Sequence, residues 1–168
     1  MESTDDPQQH APATPRYRPN VAAILRDPGG KILVCERVDF PGTWQFPQGG
    51  IKSGERRREA LKREMHEELN LRPKDYRIRK SRGPFRYLFV PGRKKENFDG
   101  QEQFYFLLDL VSPRSTINVR TEHQEFRDAR WIEPRDFSLA WLPPMKRPVY
   151  QSVFREFFGI DLPATEVM

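Results

Sequence analysis

The sequence is poor in the residues that build disulfides and zinc sites. It has one cysteine and three histidines among 168 residues, so an internal disulfide is impossible. His10, His66 and His123 lack the spacing to the cysteine or to one another that a zinc site needs. Cys35 lies in the apolar run KILVCERV and is expected to fill the core.

Long apolar runs are also missing. No stretch reaches the roughly 18 apolar residues of a membrane-spanning helix, and the opening MESTDDPQQHAPATPRYRP has neither the basic start nor the apolar core of a signal peptide. These absences favour a cytoplasmic protein with no membrane partner, and a monomer is compatible with them. We expect a disordered tail over residues 1–15, one domain over residues 16–160 and a short tail over residues 161–168.

Basic residues outnumber acidic ones, 29 to 24, which gives a net charge of +5. They gather in four short clusters, at residues 56–58, 77–82, 93–95 and 146–147. Each cluster alone is typical of a solvated surface. Together they favour an anionic partner, such as a polyphosphate or a nucleic acid.

The hydrophobic pattern predicts strands, a helix, further strands and a second helix. Asp27–Gly30 is a turn signal between two apolar runs, and TWQFPQGGI should be extended until Gly49-Gly50 breaks it. DYRIRKSRG and FRYLFV are predicted as two strands, QEQFYFLLDLV as a central strand, DARWIEP as another, and PMKRPVYQSVFREFF as a helix. This order favours an α/β fold, with helices packed on a mixed sheet.

The segment GERRREALKREMHEELN, residues 54–70, is predicted to be the first helix. Leu61, Met65 and Leu69 form one apolar stripe along it. Asn70 can end this helix in the left-handed conformation, which asparagine tolerates better than other side chains with a Cβ.

Three glutamates crowd one side of this helix. Glu64, Glu67 and Glu68 stand at i, i+3 and i+4 and edge the apolar stripe, and Lys62 and Arg63 are predicted to project elsewhere. Each like-charge pair costs about 0.2–0.5 kcal/mol on an exposed helix, and burial adds to that. A divalent cation would turn repulsion into binding, because carboxylate sites suit Mg²⁺ or Mn²⁺.

The segment GGIKSGERRREALKREMHEELNL resembles the Nudix box, G-x5-E-x7-R-E-U-x-E-E-x-G-U, where U is aliphatic. The match falls on Gly49, Glu55, Arg63, Glu64, Met65, Glu67, Glu68 and Leu71. Asn70 stands where the family has glycine, a mild departure for a left-handed cap. The resemblance implies a Nudix fold, an α/β/α sandwich with a mixed sheet.

Further segments resemble one subgroup of this family, the bacterial RNA pyrophosphohydrolases and the related dinucleoside polyphosphate hydrolases. They are YRPNV, WQFPQGGI, GQEQFYFLL, EFRDARW and MKRPVY. Three departures touch substrate contacts. Tyr105 replaces a usual tryptophan, Arg37 is followed by Val38 where paired arginines are common, and Met145 replaces an aromatic residue.

The resemblance implies roles for individual residues in the metal site. Glu64, Glu67 and Glu68, with the main-chain carbonyl of Gly49, would bind Mg²⁺. Glu125 stands where the subgroup has a metal-binding or base carboxylate, and Glu122 is its near rival. Phosphoanhydride hydrolysis requires that the phosphate charge be neutralised and a water activated, and carboxylates contribute by binding the metal ion that does both.

Two further groups of residues follow from the resemblance. Glu55 and Arg63 match a structural pair that anchors the loop to the helix. The substrate-binding candidates are Arg18, Arg37, Gln48, Met145 and Lys146. Arginine and lysine suit phosphates as fixed donors, although ordinary surface charge explains each of them almost as well.

The sequence therefore predicts a Mg²⁺-dependent Nudix pyrophosphohydrolase, with Mn²⁺ as a possible substitute. The favoured substrate is the 5′-triphosphate end of RNA, and the first alternative is a dinucleoside polyphosphate. A pyrophosphatase of free nucleotides or ADP-ribose and a catalytically inactive nucleotide- or RNA-binding module are the remaining alternatives. Retention of three mutually repelling carboxylates argues against an inactive module.

Overall fold

The computed structural model describes residues 14–91 and 94–165. Its regular elements, in chain order, are β1 (Tyr17–Arg26), β2 (Ile32–Arg37), β3 (Trp44–Gln45), β4 (Gln48–Gly50), α1 (Arg57–Leu69), β5 (Tyr76–Leu88), β6 (Gly100–Leu110), β7 (Phe126–Ile132) and α2 (Arg147–Phe158). The N-terminal tail predicted for residues 1–15 lies outside the described residues except for residues 14 and 15. Of the C-terminal tail predicted for residues 161–168, residues 161–165 are described, and Leu162 among them is buried. None of the described helices is long and apolar enough to cross a membrane.

All seven strands belong to one mixed sheet. Its main order is β3-β2-β1-β6-β5, while β4 pairs with β1 and β7 pairs with β2. Strands β1 and β6 are parallel, in register from Tyr17 opposite Gly100 to Arg26 opposite Asp109, and the other pairs are antiparallel. The first residues of β1 and β6 therefore meet at one edge of the sheet, where β4 also lies.

Each face of the sheet is covered by one helix. Because alternate strand residues point to opposite faces, Ala22 and Ile24 of β1 join the core under α2, whereas Val21, Ala23 and Leu25 join the core under α1. This three-layer arrangement confirms the predicted α/β/α sandwich. It also gives the molecule two separate apolar cores, one on either side of the sheet.

Helix α1 ends as predicted. Asn70 has φ 58° and ψ 29°, and its N–H donates to the carbonyl of His66 while Leu71 donates to Met65. These two bonds satisfy carbonyls that the helix end would otherwise leave unpaired. The stripe of Leu61, Met65 and Leu69 is buried, also as predicted.

Two strand predictions were wrong. Two strands were predicted in this region, but residues 76–88 form the single strand β5. Its pairing with β6 continues through two register shifts, after Ile78 and after Arg82, so the irregular sequence between the predicted strands does not end the strand. Gly49 and Gly50 do not break the chain, because both pair with β1, opposite Val21 and Asn20, and thereby extend β4. Pairing with a distant strand overrode the local glycine signal.

Candidate active site

A polar cavity of about 170 Å³ lies at the sheet edge where β1, β4 and β6 meet the side of α1. Its walls carry carboxylates, amides and cations: Arg18, Asn20, Arg37, Gln45, Gln48, Gly49, Gly50, Glu64, Glu68, Lys95, Gln101, Glu125 and Phe126. Seven of the predicted site residues thus share one cavity. They are Arg18, Arg37, Gln48, Gly49, Glu64, Glu68 and Glu125.

Glu64 and Glu68, one helical turn apart on α1, are the buried carboxylates of this cavity. Glu64 is 8% and Glu68 4% exposed, and Oε2 of Glu68 has no hydrogen-bond partner. Burial raises the pKa of both carboxyl groups, and the charge of Glu64 raises the pKa of Glu68 further. Two buried carboxylates with an unpaired oxygen are electrostatically incomplete, because a buried charge needs a partner.

Gly49 lies against the Glu64 carboxylate. A Cβ atom at Gly49 would overlap the carboxylate atoms of Glu64, so only glycine permits this approach. The extended β4 backbone brings the Gly49 peptide beside the two carboxylates because it pairs with β1. The Gly49 carbonyl was predicted to be a ligand, and this placement is compatible with that prediction.

Arg63 lies on the same side of α1 as the glutamates, which corrects the prediction that it projects elsewhere. Its guanidinium donates to both oxygens of Glu55, at 2.8 and 2.9 Å, and to the carbonyl of Gly50 at 2.8 Å. It also donates to Glu64 at 2.7 Å and to Glu67 at 3.2 Å. One arginine therefore offsets part of the glutamate repulsion and ties α1 to β4.

The pair of Glu55 and Arg63 has the geometry expected of a structural anchor. Hydrogen bonding from Arg63 lowers the pKa of Glu55 to about 2. Glu55 also accepts the N–H of Lys52 at 3.0 Å, so its carboxylate holds the loop that leads into α1.

The remaining acidic candidates are less enclosed. The Glu67 side chain is 39% exposed, contacts Arg63, and is not among the residues that line the polar cavity. Glu125 is exposed but lines the cavity, and its charge contributes to the raised pKa of Glu68. Its rival Glu122 is not part of the cavity wall.

The polar cavity fits a divalent cation only if backbone or solvent oxygens complete the ligand set. Within residues 14–91 and 94–165, no three His, Cys, Asp or Glu side chains converge to hold a metal ion. The unpaired Glu68 Oε2 beside Glu64 nevertheless supplies the oxygen chemistry that Mg²⁺ prefers, since Mg²⁺ is usually held by one or two carboxylates plus water and phosphate. Glu64 and Glu68 are therefore the residues that would hold it.

An apolar groove of about 640 Å³ adjoins the polar cavity. Its walls include Phe40, Tyr87, Phe89, Trp141 and Met145, together with Pro143 and Pro144. Arg37, Gln48, Lys95 and Gln101 line both the groove and the polar cavity, so the two spaces adjoin at these four residues. A ligand with an anionic end and an aromatic body would match this pair of spaces.

Cationic side chains lie where the groove meets the polar cavity: Arg37 and Lys95 line both spaces, and Lys146 lines the groove. Lys146 is buried, at 8% exposure, and its Nζ donates to the Gln45 side-chain oxygen at 3.4 Å. Burial lowers its pKa to about 8, helped by the charges of Arg37 and Lys95. Arg37 pairs with Asp39 at 2.6 Å and lies over the Phe40 ring.

Arg18 completes the cationic side of the polar cavity. Its guanidinium covers Gly50, where a Cβ atom would collide with it, and lies 3.5 Å from the exposed carboxylate of Glu96. Its side chain is 22% exposed, so it can reach both the cavity and solvent.

Sequence reasoning missed several polar residues of the cavity wall. Asn20 and Gln101, at 0% and 4% exposure, were not selected. Gln101 lies in the polar run GQEQ and gave no signal, whereas Asn20 is a polar residue that interrupts the start of the apolar pattern of β1. That interruption was the available signal. Trp44 and Phe46 are buried in the core. Cys35 is fully buried, as predicted, and burial raises the pKa of its thiol, which makes it an inert core residue.

Comparison with known proteins agrees with this architecture. Residues 16–157 match the NUDIX domain model. An RNA pyrophosphohydrolase of Haemophilus influenzae is 38% identical over 156 residues, which cover 86% of this chain and 76% of that protein. An RNA pyrophosphohydrolase of Rhodospirillum rubrum is 34% identical over 164 residues, which cover 95% of this chain and 98% of that protein.

Solved structures share the fold at low sequence identity. The E. coli dihydroneopterin triphosphate pyrophosphohydrolase aligns with a TM-score of 0.65 at 16% identity, over 84% of this chain and 97% of that chain. A C. elegans Ap4A hydrolase aligns with a TM-score of 0.58 at 19% identity, over 84% of this chain and 99% of that chain. With the motif, the fold and the relatives in agreement, the chain belongs to the Nudix hydrolase family.

Proposed function

We propose that this protein removes pyrophosphate from the 5′-triphosphate end of RNA, with Mg²⁺, or Mn²⁺ in its place. The observation that carries the proposal is the junction of the carboxylate-lined polar cavity with the cation-rimmed apolar groove. The names of the relatives that match nearly the whole chain favour RNA over other polyphosphates. An RNA substrate implies a cytoplasmic location.

Each residue has a distinct task in this proposal. A bound divalent ion neutralises phosphate charge and makes water more acidic. Glu64 and Glu68 would hold that ion, and the Gly49 carbonyl and Glu67 would be further oxygen donors. Glu125, at the cavity wall, accepts the proton of the attacking water. As the water oxygen bonds to phosphorus, the anhydride bond between the α- and β-phosphates breaks. The products are pyrophosphate and 5′-monophosphate RNA.

The cations and the groove hold the rest of the substrate. Arg18, Arg37 and Lys146 donate to phosphate oxygens at the rim of the polar cavity. The first bases of the RNA enter the apolar groove, where Met145 and Trp141 offer contact surface. Gln48 lines both spaces and lies between the phosphates and the bases.

A dinucleoside polyphosphate is the second candidate. Its phosphates fit the polar cavity and one of its bases fits the apolar groove equally well. The two substrates differ beyond the reacting end, because RNA carries further phosphates whose binding releases counterions.

The first experiment compares substrates. Pure protein with Mg²⁺ is incubated with 5′-triphosphate RNA, diadenosine tetraphosphate and free nucleoside triphosphates, and kcat/KM is measured for each. We expect the highest value for RNA. A higher value for diadenosine tetraphosphate would replace the proposed substrate, and no turnover of any of them would favour a binding module.

The second experiment uses Lys146→Ala at two salt concentrations. We expect kcat/KM to fall more for 5′-triphosphate RNA than for diadenosine tetraphosphate, with the loss mainly in KM, and the RNA reaction to be more sensitive to salt. Lys74→Ala, on the exposed turn before β5, is the matched control. Equal losses on both substrates would contradict the RNA assignment.

A further inference from the structure

Asn20 presents an unused hydrogen-bond donor to the polar cavity. The residue is 0% exposed, and its Nδ2 atom has no hydrogen-bond partner among the residues that the structure describes, although its Oδ1 accepts a hydrogen bond from Gln103 at 3.1 Å. A buried amide normally satisfies its donors as well as its acceptor. Asn20 is also one of the residues that line the polar cavity, so its unpaired N–H groups lie in the wall of the space where a ligand would bind.

The orientation of this amide is set by a chain of hydrogen bonds through the core. The Tyr105 hydroxyl donates to Oε1 of Gln103 at 3.1 Å, which assigns the NH₂ group to the other side of that amide. Gln103 Nε2 then donates to Asn20 at 3.1 Å and to Oε1 of Gln48 at 3.2 Å. The side-chain oxygens of Asn20 and Gln48 both accept from Gln103, so the NH₂ group of each amide points away from Gln103.

We call these hydrogen bonds, from Tyr105 to Gln103 and from Gln103 to Asn20 and Gln48, the relay. The relay leaves the NH₂ groups of Asn20 and Gln48 as two neutral donors. Gln48 and Asn20 both line the wall of the polar cavity, opposite in chemical character to the carboxylates of Glu64 and Glu68. Amide N–H groups bind phosphate oxygens well but gain nothing beside a carboxylate-bound cation. The amide donors thus suit an anionic group, whereas the carboxylates suit a cation.

We propose that Asn20 is a substrate-binding residue whose amide donates to a non-bridging oxygen of the polyphosphate chain, and that Gln103 and Tyr105 are positioning residues that fix its orientation. The inference rests on the proposed function only in taking a polyphosphate as the ligand, whatever group the phosphates carry. It also gives a role to Tyr105, one of the departures noted in the sequence: its hydroxyl starts the relay.

Gln101 has an unpaired acceptor, in contrast to the unpaired donor of Asn20. Its Oε1 is buried without a partner and is an acceptor, so it suits a water or a hydroxyl group instead of a phosphate oxygen. Only the donors of Asn20 and Gln48 carry the proposal.

The test measures binding of inorganic tripolyphosphate, which has no base or RNA chain. Dissociation constants are determined by calorimetry for the wild type, Asn20→Asp and Tyr105→Phe. Asn20→Asp keeps the shape but replaces the donor with a negative acceptor, and should weaken binding about tenfold or more. Tyr105→Phe keeps the ring, frees the Gln103 amide to turn over, and should weaken binding about three- to tenfold.

Matched controls make the same chemical changes elsewhere. Tyr76→Phe removes a buried hydroxyl at the far end of β5, and Asn118→Asp alters an amide outside the cavity wall. Both should bind tripolyphosphate as the wild type does. On a substrate that the wild type hydrolyses, Tyr105→Phe should raise KM more than it lowers kcat, whereas a purely structural role would lower the melting temperature and leave KM unchanged.

The outcomes separate this inference from the proposed substrate. Native-like tripolyphosphate affinity of folded Asn20→Asp, or failure of the wild type to bind tripolyphosphate, would overturn it. If Asn20→Asp does not fold, Tyr105→Phe decides by the same measurement. Loss of tripolyphosphate binding in these variants, in a protein that does not hydrolyse 5′-triphosphate RNA, would uphold the inference and reject the RNA proposal.

Discussion

Gly49 and Glu64 are in direct contact, with no room for a side chain between them. The contact is made by the end of a flexible side chain, so adding a methyl group would move the carboxylate without breaking the sheet. The position of Glu64 in the polar cavity therefore depends on a residue that is remote from it in sequence and has no functional group of its own.

We expect Gly49→Ala to keep the fold but lose most activity, because the displaced Glu64 carboxylate can no longer face Glu68. Gly29→Ala is a matched control, since the nearest atom to its added Cβ would be 3.5 Å away. Circular dichroism and kcat measure the two effects. Wild-type turnover in Gly49→Ala would show that the Glu64 position is not critical.

Glu68→Gln should lower turnover by orders of magnitude while the protein stays folded. The substitution removes a buried charge beside Glu64, so the melting temperature without metal should rise. The stabilisation that Mg²⁺ gives the wild type should be lost. Melting curves with and without Mg²⁺ test both effects, and near-native activity in this variant would reject the metal-site assignment.

The lysine at the start of α2 predicts a pH dependence. The pKa of Lys146 is lowered by burial to about 8, whereas its usual value is 10.5. Substrate binding should weaken above pH 8 as the ammonium loses its proton, and Lys146→Arg should move that loss to higher pH. KM measured as a function of pH tests this, and identical profiles for the two proteins would assign the loss to another group.

The same shift fixes the sign of a stability effect. Between pH 8 and 10.5 the unfolded chain binds more protons at this lysine than the folded protein does. The Lys146 contribution therefore makes the ligand-free protein more stable as pH rises through this window. Denaturant unfolding of the wild type and Lys146→Met at pH 7.5 and 9.5 isolates that contribution, which should be absent in the variant.

The cap of α1 offers a test of the fold alone. With φ at 58°, Asn70→Gly should be neutral or slightly stabilising, while Asn70→Val should cost on the order of 1 kcal/mol or more. Unfolding in urea gives both values. Equal stability of the two variants would contradict the left-handed cap.

Features set by local sequence were predictable. Helical spacing placed α1 and its buried stripe, and a short run of fixed residues located Glu64, Glu68 and Gly49. The contact between Asn20 and Gln103 was not predictable, because it joins residues 83 positions apart that meet only when β1 and β6 pair. The orientation of Arg63 was missed for a related reason: β4 supplies its acceptor, the Gly50 carbonyl.

The two apolar cores affect how such a protein can diverge. The carboxylates of Glu64 and Glu68 belong to α1, which packs on one core. Lys146 and the groove residues beside it directly precede α2, which packs on the other core. Mutations that reshape the second core can change which molecule is recognised without disturbing the chemistry held by the first. Substrate choice can thus change during evolution while hydrolysis is preserved, because the sheet separates the core under α2 from the core under α1.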